Sequence, residues 1–132
     1  MRVGIYNHQH QRGGCPGCSQ TYVKGMISDA ECCKSAILRY YGPDCEFVNY
    51  TDLGDYPADN LNRPGYRRMM DDVNANNLDV IITITPGKIS SDINLILEFY
   101  EQCRNHNVDF LSAKEGPDVM NMLNVMLSKR GR

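Results

Sequence analysis

No stretch of the 132-residue chain is apolar for anything near the roughly 20 residues that a bilayer crossing needs, which excludes a helical membrane span. The opening MRVGIYNHQHQ lacks a long apolar core and a small-residue cleavage site, so it is not a secretory leader, and a cytoplasmic location is expected. There is no excess of positive charge either: 14 Lys and Arg stand against 16 Asp and Glu, a net charge of −2. A generally basic, nucleic-acid-coating surface is thereby excluded, and only local patches such as Lys129, Arg130 and Arg132 remain for phosphate contacts. Internal repeats and low-complexity segments are absent, and 15.0 kDa is too small for a second full domain. One hydrophobic core over residues 1–132 is the working expectation.

What is present is a regular alternation. Residues 2–6 (RVGIY) are β-branched and aromatic enough for a buried strand. Residues 11–20 hold three glycines and a proline and read as a loop. Ser28 and Glu31 have the spacing of a capping box, and Cys33, Ala36, Ile37 and Tyr40 then recur at helical spacing until Gly42, which predicts a helix over about 29–41. Residues 45–50 predict a second strand, followed by a turn-rich loop over 51–62. Pro64 opens a second helix with an apolar face at Tyr66, Met69, Met70 and Val73, running to about residue 75.

A third strand, VIITI at 80–84, is apolar enough to be buried on both faces, and the loop TPGK follows it. Ser90 or Ser91 caps a third helix that ends near His106, and residues 108–111 form a fourth strand. Val119, Met122, Leu123 and Met126 make a last amphipathic helix, which covers the sheet or carries a homo-oligomer contact as well. Four alternations predict an α/β protein: a three-layer α/β/α sandwich with a mainly parallel sheet of four or five strands. Functional groups in such sheets collect at the carboxyl ends of the strands, here His8 and His10, Asp52 and Gly54, and Gly87 and Lys88.

Several stretches at those ends resemble one family. RVGIYNHQHQ at the start, YTDLG at 50–54, NRPGYRRMMDDVNANNLDVIITI at 62–84 and NVDFLSAKEG at 107–116 are similar, in order and spacing, to the catalytic domain of the resolvase/invertase serine recombinases. The resemblance implies a resolvase-like fold, DNA as partner and strand cleavage by transesterification, in which a serine hydroxyl attacks phosphorus and arginines stabilise the five-coordinate charge. It also implies a long dimerising helix and a helix-turn-helix domain, and the expectation for 1–132 is the catalytic domain with neither.

Carried over position by position, the resemblance places His10 on the nucleophilic serine and His8 on the first catalytic arginine. The family's Asp-Arg-Leu-x-Arg falls on Gly87, Lys88, Ile89, Ser90 and Ser91, so that only Lys88 keeps a positive charge, without arginine's planar fork. Asp52 and Arg63 match. The resemblance therefore implies a recombinase-like domain that is catalytically impaired or inactive and binds DNA weakly by itself. A divergent active recombinase using His10 as a phosphorus nucleophile is the alternative, and polar loop residues without a chemical task are the plainest account of His8 and His10.

The same loop contains a second chemistry. His8, His10, Cys15 and Cys18 are four nitrogen and sulfur donors of the type that hold zinc, with Cys32, Cys33 or Cys45 available to complete a shell. The four-residue spacer between the His and Cys pairs is short for such a site. A redox pair at Cys15 and Cys18 is a further alternative, although such pairs sit at helix starts and here a loop is expected to continue. Inert loop thiols, with no cofactor, complete the set. Arg67 and Arg68 are read as solvated and are assigned no site.

Overall fold

The structure is a computed structural model that describes residues 1–9, 18–53 and 61–130, without the side chains of Gln9, 18–26, Leu53 and Arg130. Four strands, β1 (Arg2–Gln9), β2 (Glu46–Leu53), β3 (Val80–Thr83) and β4 (Asp109–Ser112), form one parallel sheet in the order β2-β1-β3-β4. The helices are α1 (Cys18–Tyr41), α2 (Pro64–Asn74), α3 (Ile93–Asn105) and α4 (Asp118–Arg130), with a single 3-10 turn at Pro86–Lys88.

Strand alternation sorts the core into two faces. Val3 and Ile5 of β1, Val80 and Ile82 of β3 and Leu111 of β4 pack on Cys33, Ala36 and Ile37 of α1. Tyr6, Ile81 and Phe110 point the opposite way, onto Met69 and Val73 of α2 and Phe99 of α3. The chain therefore has the three layers expected, with four strands among the described residues. Because β2 and β3 lie on either side of β1, the crossovers diverge at the carboxyl ends of β1 and β3, the place where open α/β sheets hold their ligands.

Several boundaries differ from expectation. Helix α1 begins at Cys18, so Ser28 is an interior residue and its spacing to Glu31 is not a cap. The end is as expected: Gly42 adopts φ 91° and donates to the Leu38 carbonyl, a conformation that favours glycine. Strand β1 runs on to Gln9 and β2 to Leu53, pairing His8 with Asp52, so both residues lie in strands rather than loops. Backbone pairing along eight positions extends the strands past the point where their apolar pattern stops. Helix α3 is capped by Asp92, whose carboxylate accepts from the Asn94 amide, and not by Ser90 or Ser91. A carboxylate placed before the first turn also complements the helix dipole, which a hydroxyl does not. TPGK is partly ordered as the 3-10 turn. Among the described residues, no helix is long and apolar enough to cross a membrane.

Candidate active site

Pro64 at the first position of α2 restricts the residue before it, and Arg63 accordingly has extended backbone at φ −127° and ψ 136°. That geometry carries the Arg63 side chain back across the sheet end, where it is 1% exposed. Its Nη1 donates to the Tyr6 hydroxyl at 2.7 Å and more weakly to the Lys88 carbonyl at 3.3 Å, and its Nη2 donates to the Ile89 carbonyl. The guanidinium carbon lies 5.8 Å from the ring centroids of both Tyr6 and Tyr66, close enough for cation–π attraction. Nη1 is also 3.3 Å from His8 Nδ1. Since a guanidinium only donates, that ring nitrogen accepts and carries no proton.

Asp52 is 3% exposed and occupies the start of α2 from outside the helix. Its Oδ1 accepts from the Gly65 amide at 2.7 Å, and its Oδ2 accepts from the Tyr66 amide at 3.0 Å and from the Tyr6 hydroxyl at 2.7 Å. A strand carboxylate thus supplies the cap that the Arg63 side chain does not supply. Burial holds the Tyr6 phenol well above its usual range, and the hydrogen bond to Asp52 adds to this, while the Arg63 charge opposes it. Tyr66 is raised by burial too.

Of the residues expected at the site, His8, Asp52, Arg63 and Lys88 converge. Lys88 Nζ donates to the His8 carbonyl at 3.1 Å, across the gap between β1 and the 3-10 turn. Gly87 and Ser91 are both exposed, at the turn and just before α3. His10 and Cys15 lie outside the described residues, as does the Cys18 side chain. Among the described residues, no three or more His, Cys, Asp and Glu side chains are grouped to hold a metal ion. His8 is 6% exposed and its Nδ1 faces a guanidinium, a poor setting for a dication. Cys32 is exposed on α1, and Cys33 is buried, its thiol pushed up to about 12 by burial and, less, by Asp29. The expectation that a loop continues beyond Cys18 is overturned, because α1 starts there.

Tyr6, which the resemblance places on the family's strand-one tyrosine, was given no role at the site from sequence. Its signal was parity: on a strand, residues 6 and 8 share a face, so a tyrosine two positions before a polar site residue belongs with it.

Comparison with known proteins follows the same lines. The N-terminal catalytic domain of TP901-1 integrase superposes with a TM-score of 0.69 at 16% identity, over 98% of this chain and 96% of that one. A resolvase family site-specific recombinase from Streptococcus pneumoniae gives 0.69 at 14% identity, over 98% and 87%. A serine recombinase from Sulfolobus solfataricus gives 0.60 at 13% identity, over 98% and 82%. These likenesses establish the fold. No curated protein matches in sequence. The family model described as the resolvase N-terminal domain matches residues 31–129, a range that contains Asp52, Arg63, Gly87, Lys88 and Ser91 and leaves out His8 and His10. With that range matched out of 132 residues, the chain belongs to the resolvase family and contains its N-terminal domain.

Proposed function

We propose that this resolvase-family domain is associated with DNA recombination but does not cleave DNA itself, acting through protein contacts or as a partner in a DNA-processing assembly. Strand cleavage needs a nucleophile and several guanidinium groups that meet the non-bridging oxygens of a phosphodiester. By resemblance, the nucleophile position holds His10, the first arginine position holds His8, and the later aspartate and two arginine positions hold Gly87, Lys88 and Ser91.

The observation that carries the reading is the state of the retained arginine. Arg63 is buried, and its donors are directed at a phenol, an imidazole and two backbone carbonyls. A phosphate would have to displace those partners to reach it. Lys88 is likewise turned to the His8 carbonyl. Removing a single preorganised charge contact raises such barriers by about 3–4 kcal/mol, so losing several together removes a useful rate.

Incubation with supercoiled plasmid tests this, with nicking and covalent protein–DNA attachment as readouts. Neither product is expected. A covalent adduct that forms with the natural chain and disappears in His10→Ala would overturn the proposal in favour of a histidine nucleophile. Nicking that survives His10→Ala would point to another nucleophile and overturn it equally.

A further inference from the structure

We infer that Tyr6 is a positioning residue whose hydroxyl joins two otherwise separate structural tasks, the capping of α2 by Asp52 and the anchoring of the Pro86–Lys88 turn by Arg63. The inference rests on the reading of Arg63 as held inward, and it names what aims the side chain there.

The phenolic oxygen accepts from Arg63 Nη1 and donates to Asp52 Oδ2, each at 2.7 Å. Both bonds are charge-assisted, and together they fix the direction of the hydroxyl between a cation and an anion. Asp52 has two further donors, the amides of Gly65 and Tyr66, and so keeps its hold on α2 without the phenol. Arg63 keeps its bonds to the Lys88 and Ile89 carbonyls, and through them it holds the turn that closes on its own Lys88–Thr85 and Ile89–Pro86 amide bonds.

The Tyr6 ring fixes the geometry. It is 1% exposed and stands edge-on to Tyr66, with centroids 6.0 Å apart and planes at 82°. The hydroxyl is thereby held in place, and the Arg63 guanidinium carbon lies to one side of the ring pair, 5.8 Å from each centroid. Phenylalanine at this position retains the ring and loses only the oxygen. Arg63 then lacks its shortest side-chain partner, and the turn it anchors loosens, while the α2 cap remains.

The test is residue-resolved amide hydrogen exchange on Tyr6→Phe. Exchange at Lys88 and Ile89 is expected to rise by about tenfold or more, the effect of losing one hydrogen bond to a charged group, with Gly65 and Tyr66 little changed. Asp52→Asn is expected to give the opposite pattern, fastest at Gly65 and Tyr66. An equal rise at all four amides, or none, would overturn the inference. Should Tyr6→Phe not fold, the natural chain carrying tyrosine labelled with carbon-13 at Cζ still decides. The Tyr6 signal is expected to remain that of a protonated phenol at pH 11, above the ordinary range of a free tyrosine, and its ionisation there would sink the idea. None of these readouts involves DNA, so their failure is separable from that of the proposed function.

Discussion

Gly65 donates its amide to Asp52 Oδ1 across 2.7 Å, and the same closeness leaves no room for a β-carbon at residue 65. A β-carbon there would stand 2.7 Å from the Thr51 carbonyl oxygen and 3.0 Å from both Asp52 carboxylate oxygens. Glycine in a helix is ordinarily a weakness, and replacing it by alanine in a helix interior adds about 0.5–1 kcal/mol. Here the sign is expected to reverse. Gly65→Ala pushes α2 away from the carboxylate that caps it, at a cost of about 1–3 kcal/mol. Urea denaturation would register this as a lower midpoint at unchanged slope, whereas a raised midpoint would show that the cap is not held as described.

That contact also shows how far the sequence reached. Pro64 and the apolar face of α2 were readable, because a proline at the first turn and helical periodicity are local signals, whereas the close approach at Gly65 was not. Asp52 and Arg63 came from the resemblance. Their actual partners did not, because a buried arginine that bonds carbonyls 25 and 26 residues away is a matter of tertiary placement. The start of α1 was missed for a different reason. Ser28 and Glu31 satisfy the capping spacing by coincidence, and nothing local distinguishes that pair from a true cap when the helix already runs from Cys18. At α3 three successive cap-forming residues, Ser90, Ser91 and Asp92, left the choice to backbone geometry, which selects Asp92.

Stability is expected to fall at alkaline pH. Burial first, and then the hydrogen bonds donated to Asp52 and Asp109, raise the phenols of Tyr6 and Tyr41, and the Cys33 thiol is pushed up to about 12. Each such group favours the protonated form in the folded chain. Its contribution is complete below the unfolded pKa and is lost as pH rises, because the unfolded chain then binds fewer protons than the folded one. The loss begins near pH 9 for the thiol and near pH 10 for the phenols, at about 1.4 kcal/mol per pH unit for buried Cys33 and Tyr6 and less for the partly exposed Tyr41, whose bond to Asp109 is screened by solvent. Urea midpoints at pH 8 and pH 10.5 provide the check. An unchanged midpoint would mean that these groups ionise as easily folded as unfolded.

Zinc is expected at less than about half an equivalent in protein purified without chelator, because His8 is a poor member of the four-donor set. Its Nδ1 accepts from Arg63, and its Nε2 is buried, on the same ring and so only a few ångströms further from that guanidinium. A divalent ion at either nitrogen would be held against a fixed positive charge in a region of low dielectric. Metal analysis combined with a melting curve in chelator tests this. A full equivalent of zinc whose removal lowers the melting temperature would show that His10, Cys15 and Cys18 recruit a different fourth ligand or pull His8 from Arg63.

Restoring the family residues is expected to cost stability without creating activity. His8→Arg replaces an acceptor by a donor at a position 6% exposed, 3.3 Å from the Arg63 guanidinium. Arginine has no acceptor to offer, so a third cation joins Arg63 and Lys88, and of the described residues that converge here only Asp52, already engaged by three donors, carries an opposite charge. An uncompensated buried charge costs about 3 kcal/mol, and the urea midpoint of His8→Arg should fall accordingly. Combining His8→Arg with His10→Ser and Ser91→Arg supplies a hydroxyl and two guanidinium groups, yet Arg63 stays directed at Tyr6 and the Lys88 and Ile89 carbonyls. The triple variant is therefore expected to leave supercoiled plasmid intact. If it nicks plasmid, or if His8→Arg alone is as stable as the natural chain, then Arg63 can turn outward when a second arginine displaces it. Its inward position would then be a consequence of His8 and not a property of the scaffold.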